Sequence, residues 1–173
     1  MFIRHSQPAT EEKGQGLVEY ALILVLVALA VVAALTVFGS QLQAVYQCIA
    51  SNVQALPPND VGSIYGFELI DPASNDVIRQ MGCLETLDAG NYSFSAVTRS
   101  EAIQSVYLEL EGPVSQTRTE NEIPWALFGD EPAGNFAGGN LSAGTYTLKG
   151  TPYAGNGASG KSGPTFTLIF NVE

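Results

Sequence analysis

Residues 17–39 form one apolar run, from Leu17 through Phe38 to Gly39, interrupted by a single carboxylate at Glu19. At about 23 residues the run is long enough to cross a bilayer as a helix. An ionisable side chain inside such a segment is costly, so Glu19 points to a function and to a partner for its charge. Tyr20 follows it directly, and a polar stretch, MFIRHSQPATEEKG, precedes the run and ends at Gly14.

That order matters for processing. A secretory signal is cut after its apolar segment, at small residues. In this chain the good junction lies before the segment. Cutting there leaves the apolar helix in the mature protein.

The helical pattern continues beyond the apolar run. Leu42, Val45, Tyr46, Ile49, Val53 and Leu56 recur at helical spacing, with Gln41, Gln43, Gln47, Ser51 and Asn52 on the other side. Pro57 and Pro58 end it, because the residue before a proline disfavours the α region. A helix from Gln15 to Ala55 would be about 60 Å long. Ala21, Ala28, Ala30, Ala33, Ala34 and Gly39 would let neighbouring helices approach closely.

Residues 57–63, PPNDVGS, read as a linker. After them the period changes to two. Expected strands are 65–70, 91–97, 103–110, 123–128, 144–151 and 165–172, with a weaker one near 77–81. Short strands separated by glycine-rich turns over residues 64–173 suggest an all-β sandwich of immunoglobulin or fibronectin-III type. The expected class is therefore α+β: residues 15–56 a long helix, residues 64–173 a sandwich, with no room for a second core.

The formal net charge is −10. Removing residues 1–14 leaves it unchanged, because Arg4 and Lys13 balance Glu11 and Glu12. Most of the negative charge follows Leu56. Such a surface argues against nucleic acid and anionic headgroups as partners and suits a soluble domain outside a cell. In that setting Cys48 and Cys83 form a plausible disulfide, closing a loop of about 35 residues worth roughly 3–4 kcal/mol in the chain-entropy model. Two free buried thiols are the alternative. No metal site is expected: His5 is the only histidine, and the two cysteines alone cannot build a structural zinc site.

The N-terminal residues resemble those of a bacterial type IV prepilin, most closely the tight-adherence (Flp, type IVb) class. In that class a short charged leader ends in glycine, the fifth mature residue is glutamate and the sixth is tyrosine. Gly14, Gln15, Glu19 and Tyr20 stand at those positions. The resemblance implies cleavage after Gly14, an amine at Gln15 that is open to methylation, and assembly into a helical homopolymer. It also implies a prepilin peptidase, an assembly ATPase and an inner-membrane platform as partners, and roles in attachment or biofilm formation. The precursor would sit in the inner membrane and the product in an extracellular filament. The amine of Gln15 would meet Glu19 of a neighbouring subunit, since an unpaired buried charge is heavily penalised. Typical members are far shorter, so a large C-terminal domain is a departure.

From Tyr65 onward the chain also resembles, more loosely, a β-sandwich module of bacterial extracellular proteins. The likeness rests on Arg118-Thr119-Glu120-Asn121, Pro124-Trp125-Ala126-Leu127-Phe128-Gly129-Asp130, Gly144-Thr145-Tyr146-Thr147-Leu148 and Thr151-Pro152-Tyr153.

Other motifs carry less. Residues 155–162, GNGASGKS, fit the phosphate-binding pattern G-x-x-x-x-G-K-[ST]. That motif needs a following helix and a parallel α/β sheet. Here Gly163 and Pro164 and a β-patterned tail follow, so a hairpin loop is the better reading. Histidine-based nucleophilic catalysis is absent from the mature chain, and neither an enzyme nor a cofactor is expected. Glu109 and Glu111 read as the solvent face of a strand; Glu120 and Glu122 form a further acidic pair. Asp130 and Glu131 lie in a glycine-rich loop that is either solvated or a weak calcium site. Asn91-Tyr92-Ser93 and Asn140-Leu141-Ser142 are sequons. Trp125, flanked by apolar residues, reads as core. Two rival functions remain open. One is a minor, TadE-like pilin, although the early helical proline usual there is missing. The other is a membrane-anchored binding module that never polymerises.

Overall fold

The computed structural model describes residues 15–54 and 61–173; within the first range, side chains are described at 16–36, 39, 46 and 49. The leader 1–14, the expected helix end at 55–56 and linker residues 57–60 lie outside the described residues. One helix is followed by a body made mostly of strands, so the chain is α+β with a sandwich-like arrangement of sheets. It divides into two compact units, Met1–Leu42 and Gln43–Glu173.

Helix α1 runs Gln15–Gln54 without a break. No proline occurs within it, and alanine and leucine, both good helix formers, recur through its first half. Thr36, whose hydroxyl donates to the Ala33 carbonyl at 2.8 Å, satisfies its side chain within the helix.

The β body contains two sheets. In the first, β2 (Asp76–Gln80), β1 (Ile64–Asp71), β4 (Gly90–Thr98) and β7 (Trp125–Ala126) lie in that order, and β8 (Gly139–Leu141) also pairs with β4. In the second, the order is β3 (Glu85–Leu87), β11 (Phe166–Val172), β9 (Gly144–Gly155), β5 (Ser105–Glu111), β6 (Gln116–Glu120), with β10 (Ser159–Ser162) also on β9. Every pairing is antiparallel except β3 with β11.

Alternation drives the second sheet. Phe166, Leu168, Phe170 and Val172 of β11 are buried and the residues between them are half-exposed. Tyr146 and Leu148 of β9 and Val106, Leu108 and Leu110 of β5 continue that inner face. The first sheet answers with Phe67 and Leu69 of β1 and Phe94 and Ala96 of β4. Rings cross between the sheets: Phe67 meets Phe166 edge-on at 5.7 Å and Phe94 meets Phe170 at 5.5 Å. Tyr146 stacks on Phe170 at 5.3 Å. Such pairs add about 0.5–1.5 kcal/mol each beyond simple burial.

The strand expectations need adjustment. Segments 65–70, 91–97, 144–151, 165–172 and 77–81 are strands within a few residues, and 103–110 becomes Ser105–Glu111. Of 123–128 only Trp125–Ala126 pair in the ladder. Pro124 has no N–H to donate, and the Ala126 N–H turns back to the Pro124 carbonyl at 3.0 Å. The segment is an apolar loop that is buried from Trp125 to Leu127. Four short strands, β3, β6, β8 and β10, were not expected.

Candidate functional site

The candidate site on α1 is Gly16–Thr36, a stretch of 21 residues long and apolar enough to span a membrane. At 1.5 Å per residue it measures about 31 Å, the thickness of a hydrocarbon core. None of it is buried. Leu17, Val18, Ile23 and Leu26, which lie on different sides of the helix, are all more than half exposed. A helix that is apolar all round belongs in lipid or among other helices. By length and composition this one suits a membrane anchor or a signal sequence.

Gln15 is the first residue of α1, Glu19 is exposed one turn later, and Tyr20 is 69% exposed beside it. Among the described residues Glu19 is the first carboxylate along α1. An amine at residue 15 would lie about 6 Å along the axis from it. A Cβ added at Gly16 or at Gly39 would meet nothing within 4 Å. Among the described residues no contact demands glycine there. Gly14 lies outside the described residues.

In the β body Cys83 is disulfide-bonded. It sits in the connection between β2 and β3, which passes from the first sheet to the second. The Arg79–Glu85 ion pair at 2.7 Å spans the same connection, and Glu85 also accepts from the Gly82 N–H at 3.0 Å. The Cys48 side chain lies outside the described residues.

The acidic pairs are placed as follows. Glu109 stands directly opposite Lys149 across β5 and β9. Lys149 reaches Glu111 at 2.8 Å and Glu109 at 3.5 Å. The hydrogen bond to Glu111 and the charge of Glu109 hold the Lys149 ammonium above the usual lysine pKa range, against a smaller opposing effect of burial. Glu120 is paired with Arg118. Asp130 accepts from the Gly134 N–H at 3.0 Å and so closes its own loop. A cleft of about 350 Å³ runs past Glu120, Glu122, Asp130 and Glu131. Among the described residues no group of three or more His, Cys, Asp or Glu side chains is placed to hold a metal ion.

Residues 155–162 form the β9–β10 hairpin, with Ser159 opposite Gly155 and Ser162 opposite Tyr153. No helix follows it, so the phosphate-binding reading has no structural basis. Trp125 is 4% exposed and its indole N–H donates to Thr98 Oγ1 at 3.0 Å, a satisfied core residue. Asn91 and Asn140, the two sequon asparagines, are exposed and directly opposite each other on β4 and β8.

Sequence reasoning missed Lys149 and Asn121 as partners, because each reaches a segment distant in the sequence; it also missed Arg118, which pairs with Glu120 within β6. One signal was available: Lys149 alternates with the inward residues Leu148 and Gly150, so it had to share the outer face with a neighbouring strand. Comparison of the chain with protein-family models, with curated proteins and with solved structures returns no match.

Proposed function

We propose that this chain is a structural, non-catalytic subunit of an extracellular type IVb pilus, polymerising through α1 and displaying the β body on the filament surface. The observation that carries the reading is the conjunction at the start of α1. Glu19 lies one turn beyond Gln15 on α1, and no residue of the apolar stretch from Gly16 to Thr36 is buried. In the precursor that surface is matched by lipid. In a filament it is matched by the same surface of other copies, a transfer between equally apolar settings that need cost little. Glu19 supplies the one directional contact, to the amine of a neighbouring Gln15, and so fixes register. A prepilin peptidase, an assembly ATPase and an inner-membrane platform are the partners this reading requires.

For the β body we propose the immunoglobulin type. Support comes from the order β11-β9-β5-β6 in one sheet and the β4–β8 pair in the other, which match the G-F-C-C′ and B–E pairings of that fold. Tyr146 adds to it. At the start of β9 its hydroxyl donates to the Ser142 carbonyl at 2.9 Å and accepts the Ser142 N–H at 3.2 Å, the pattern of a tyrosine corner. The Cys48–Cys83 bridge belongs to the same proposal.

Replacing Glu19 with Ala tests the reading. Surface filaments should disappear while the subunit still accumulates in the membrane with its β body folded. Filaments in normal number from the Glu19→Ala protein would overturn the reading in favour of an anchored module.

A further inference from the structure

The β9–β10 hairpin carries the sequence's single asparagine–glycine step, Asn156–Gly157. Both residues are exposed. Gly157 and Ala158, in the three-residue loop between the paired Gly155 and Ser159, have left-handed φ of 67° and 56°. A Cβ built at Gly157 would meet nothing within 4 Å, so its Cα faces open space. The Gly157 backbone nitrogen is engaged. Its N–H donates to Asn121 Oδ1 at 2.6 Å, from the segment that links β6 to β7. The hairpin is held elsewhere as well: Ser159 Oγ donates to the Asn156 carbonyl at 2.7 Å, and the Ala158 N–H donates to Ser105 Oγ at 3.0 Å.

We propose that Asn156 is a site of spontaneous covalent modification, deamidation through a cyclic imide, and that Asn121 sets its rate. The reacting atoms are adjacent. The Gly157 backbone nitrogen gives up its proton to solvent base and attacks Asn156 Cγ. A carbon–nitrogen bond forms, the carboxamide nitrogen takes up a proton and leaves as ammonia, and a five-membered succinimide remains. Water then adds to one of the two imide carbonyls and opens the ring to aspartate or isoaspartate. One water enters, one ammonia leaves, one negative charge is gained and nothing is oxidised or reduced.

Asn121 opposes the first step. While its Oδ1 accepts the Gly157 proton, that proton is harder to remove and the nitrogen is held in the hairpin geometry. Asn121 acts through Gly157 and is a positioning residue, not a reacting one. The consequence is local but definite. The product places a new carboxylate next to the segment that carries Glu120 and Glu122, and isoaspartate lengthens the main chain by one methylene in a tight turn. The tip of the hairpin thus records the age of the folded molecule. None of this rests on the filament reading.

The test uses full-length protein in detergent, incubated at mildly alkaline pH and mapped peptide by peptide by mass spectrometry, with isoaspartate separated chromatographically. Asn156 should convert before any other asparagine. Asn121→Ala should speed its conversion about two- to tenfold, the effect of one lost hydrogen bond on a rate. Asn121→Asp keeps an acceptor of the same shape and should stay near the wild-type rate. Conversion of another asparagine ahead of Asn156 would overturn the proposal. So would an unchanged rate in Asn121→Ala, or an equal acceleration in Asn121→Asp.

Discussion

Leu26 in α1 is 58% exposed, whereas Leu108 in β5 is fully buried. The two residues are chemically identical and the contrast holds along both regions. From Gly16 to Thr36 no residue of the helix is buried. In the β body the inward side chains of the two sheets bury one another, and the core rings pair across the gap. One region completes its own apolar surface and the other does not. The first is built to stand alone in water, while the second depends on lipid or further helices. The difference is also one of information. A helix that must be matched from outside needs local spacing only, whereas a sandwich needs strands distant in sequence to find their register.

A paired substitution gives the sharpest separation. Phe170→Ala removes a ring that contacts both Phe94 and Tyr146 and should cost the β body about 3–5 kcal/mol in denaturant unfolding. Leu26→Ala should leave the same transition within about 0.5 kcal/mol, as an exposed position does. Equal losses would break the comparison. A smaller effect is expected from Tyr146→Phe. The ring stays, but the Ser142 backbone groups lose their partner, at about 1–3 kcal/mol in the β body, read from the midpoint of unfolding. The smallest concerns Lys149. Its pairs with Glu111 and Glu109 are partly exposed, so Lys149→Met should cost no more than about 1 kcal/mol. The folded state raises the Lys149 pKa, so the contribution is fully present at neutral pH. It is lost as pH climbs beyond the ordinary lysine range. Wild type and Lys149→Met should therefore converge in alkaline urea titrations; a gap that widens with pH would contradict the sign.

Much of this architecture is legible in the chain itself. The long strands β1, β4, β5, β9 and β11 announce themselves because one buried face imposes alternation, as Phe166, Leu168, Phe170 and Val172 illustrate. The short ones do not. β10 reads SGKS and is exposed throughout, so no apolar period exists to detect. β3 spans three residues, and its parallel pairing with β11 depends on a crossover between sheets. The segment 123–128 misleads in the other direction, since Trp125, Ala126 and Leu127 fill the core where Pro124 interrupts pairing. On α1 the residues of interest lie within two turns of one helix, so spacing alone assembles Gln15, Glu19 and Tyr20. Lys149 with its two glutamates, and Asn121 with Gly157, become neighbours only once strands pair.

The central claim is that α1 serves a filament after release of residues 1–14. The most direct measurement is the N-terminal peptide mass of protein sheared from the cell surface. The account predicts a start at Gln15, with or without a methyl group on its amine. A start at Met1 would leave Glu19 without the amine it is proposed to meet and would contradict the account.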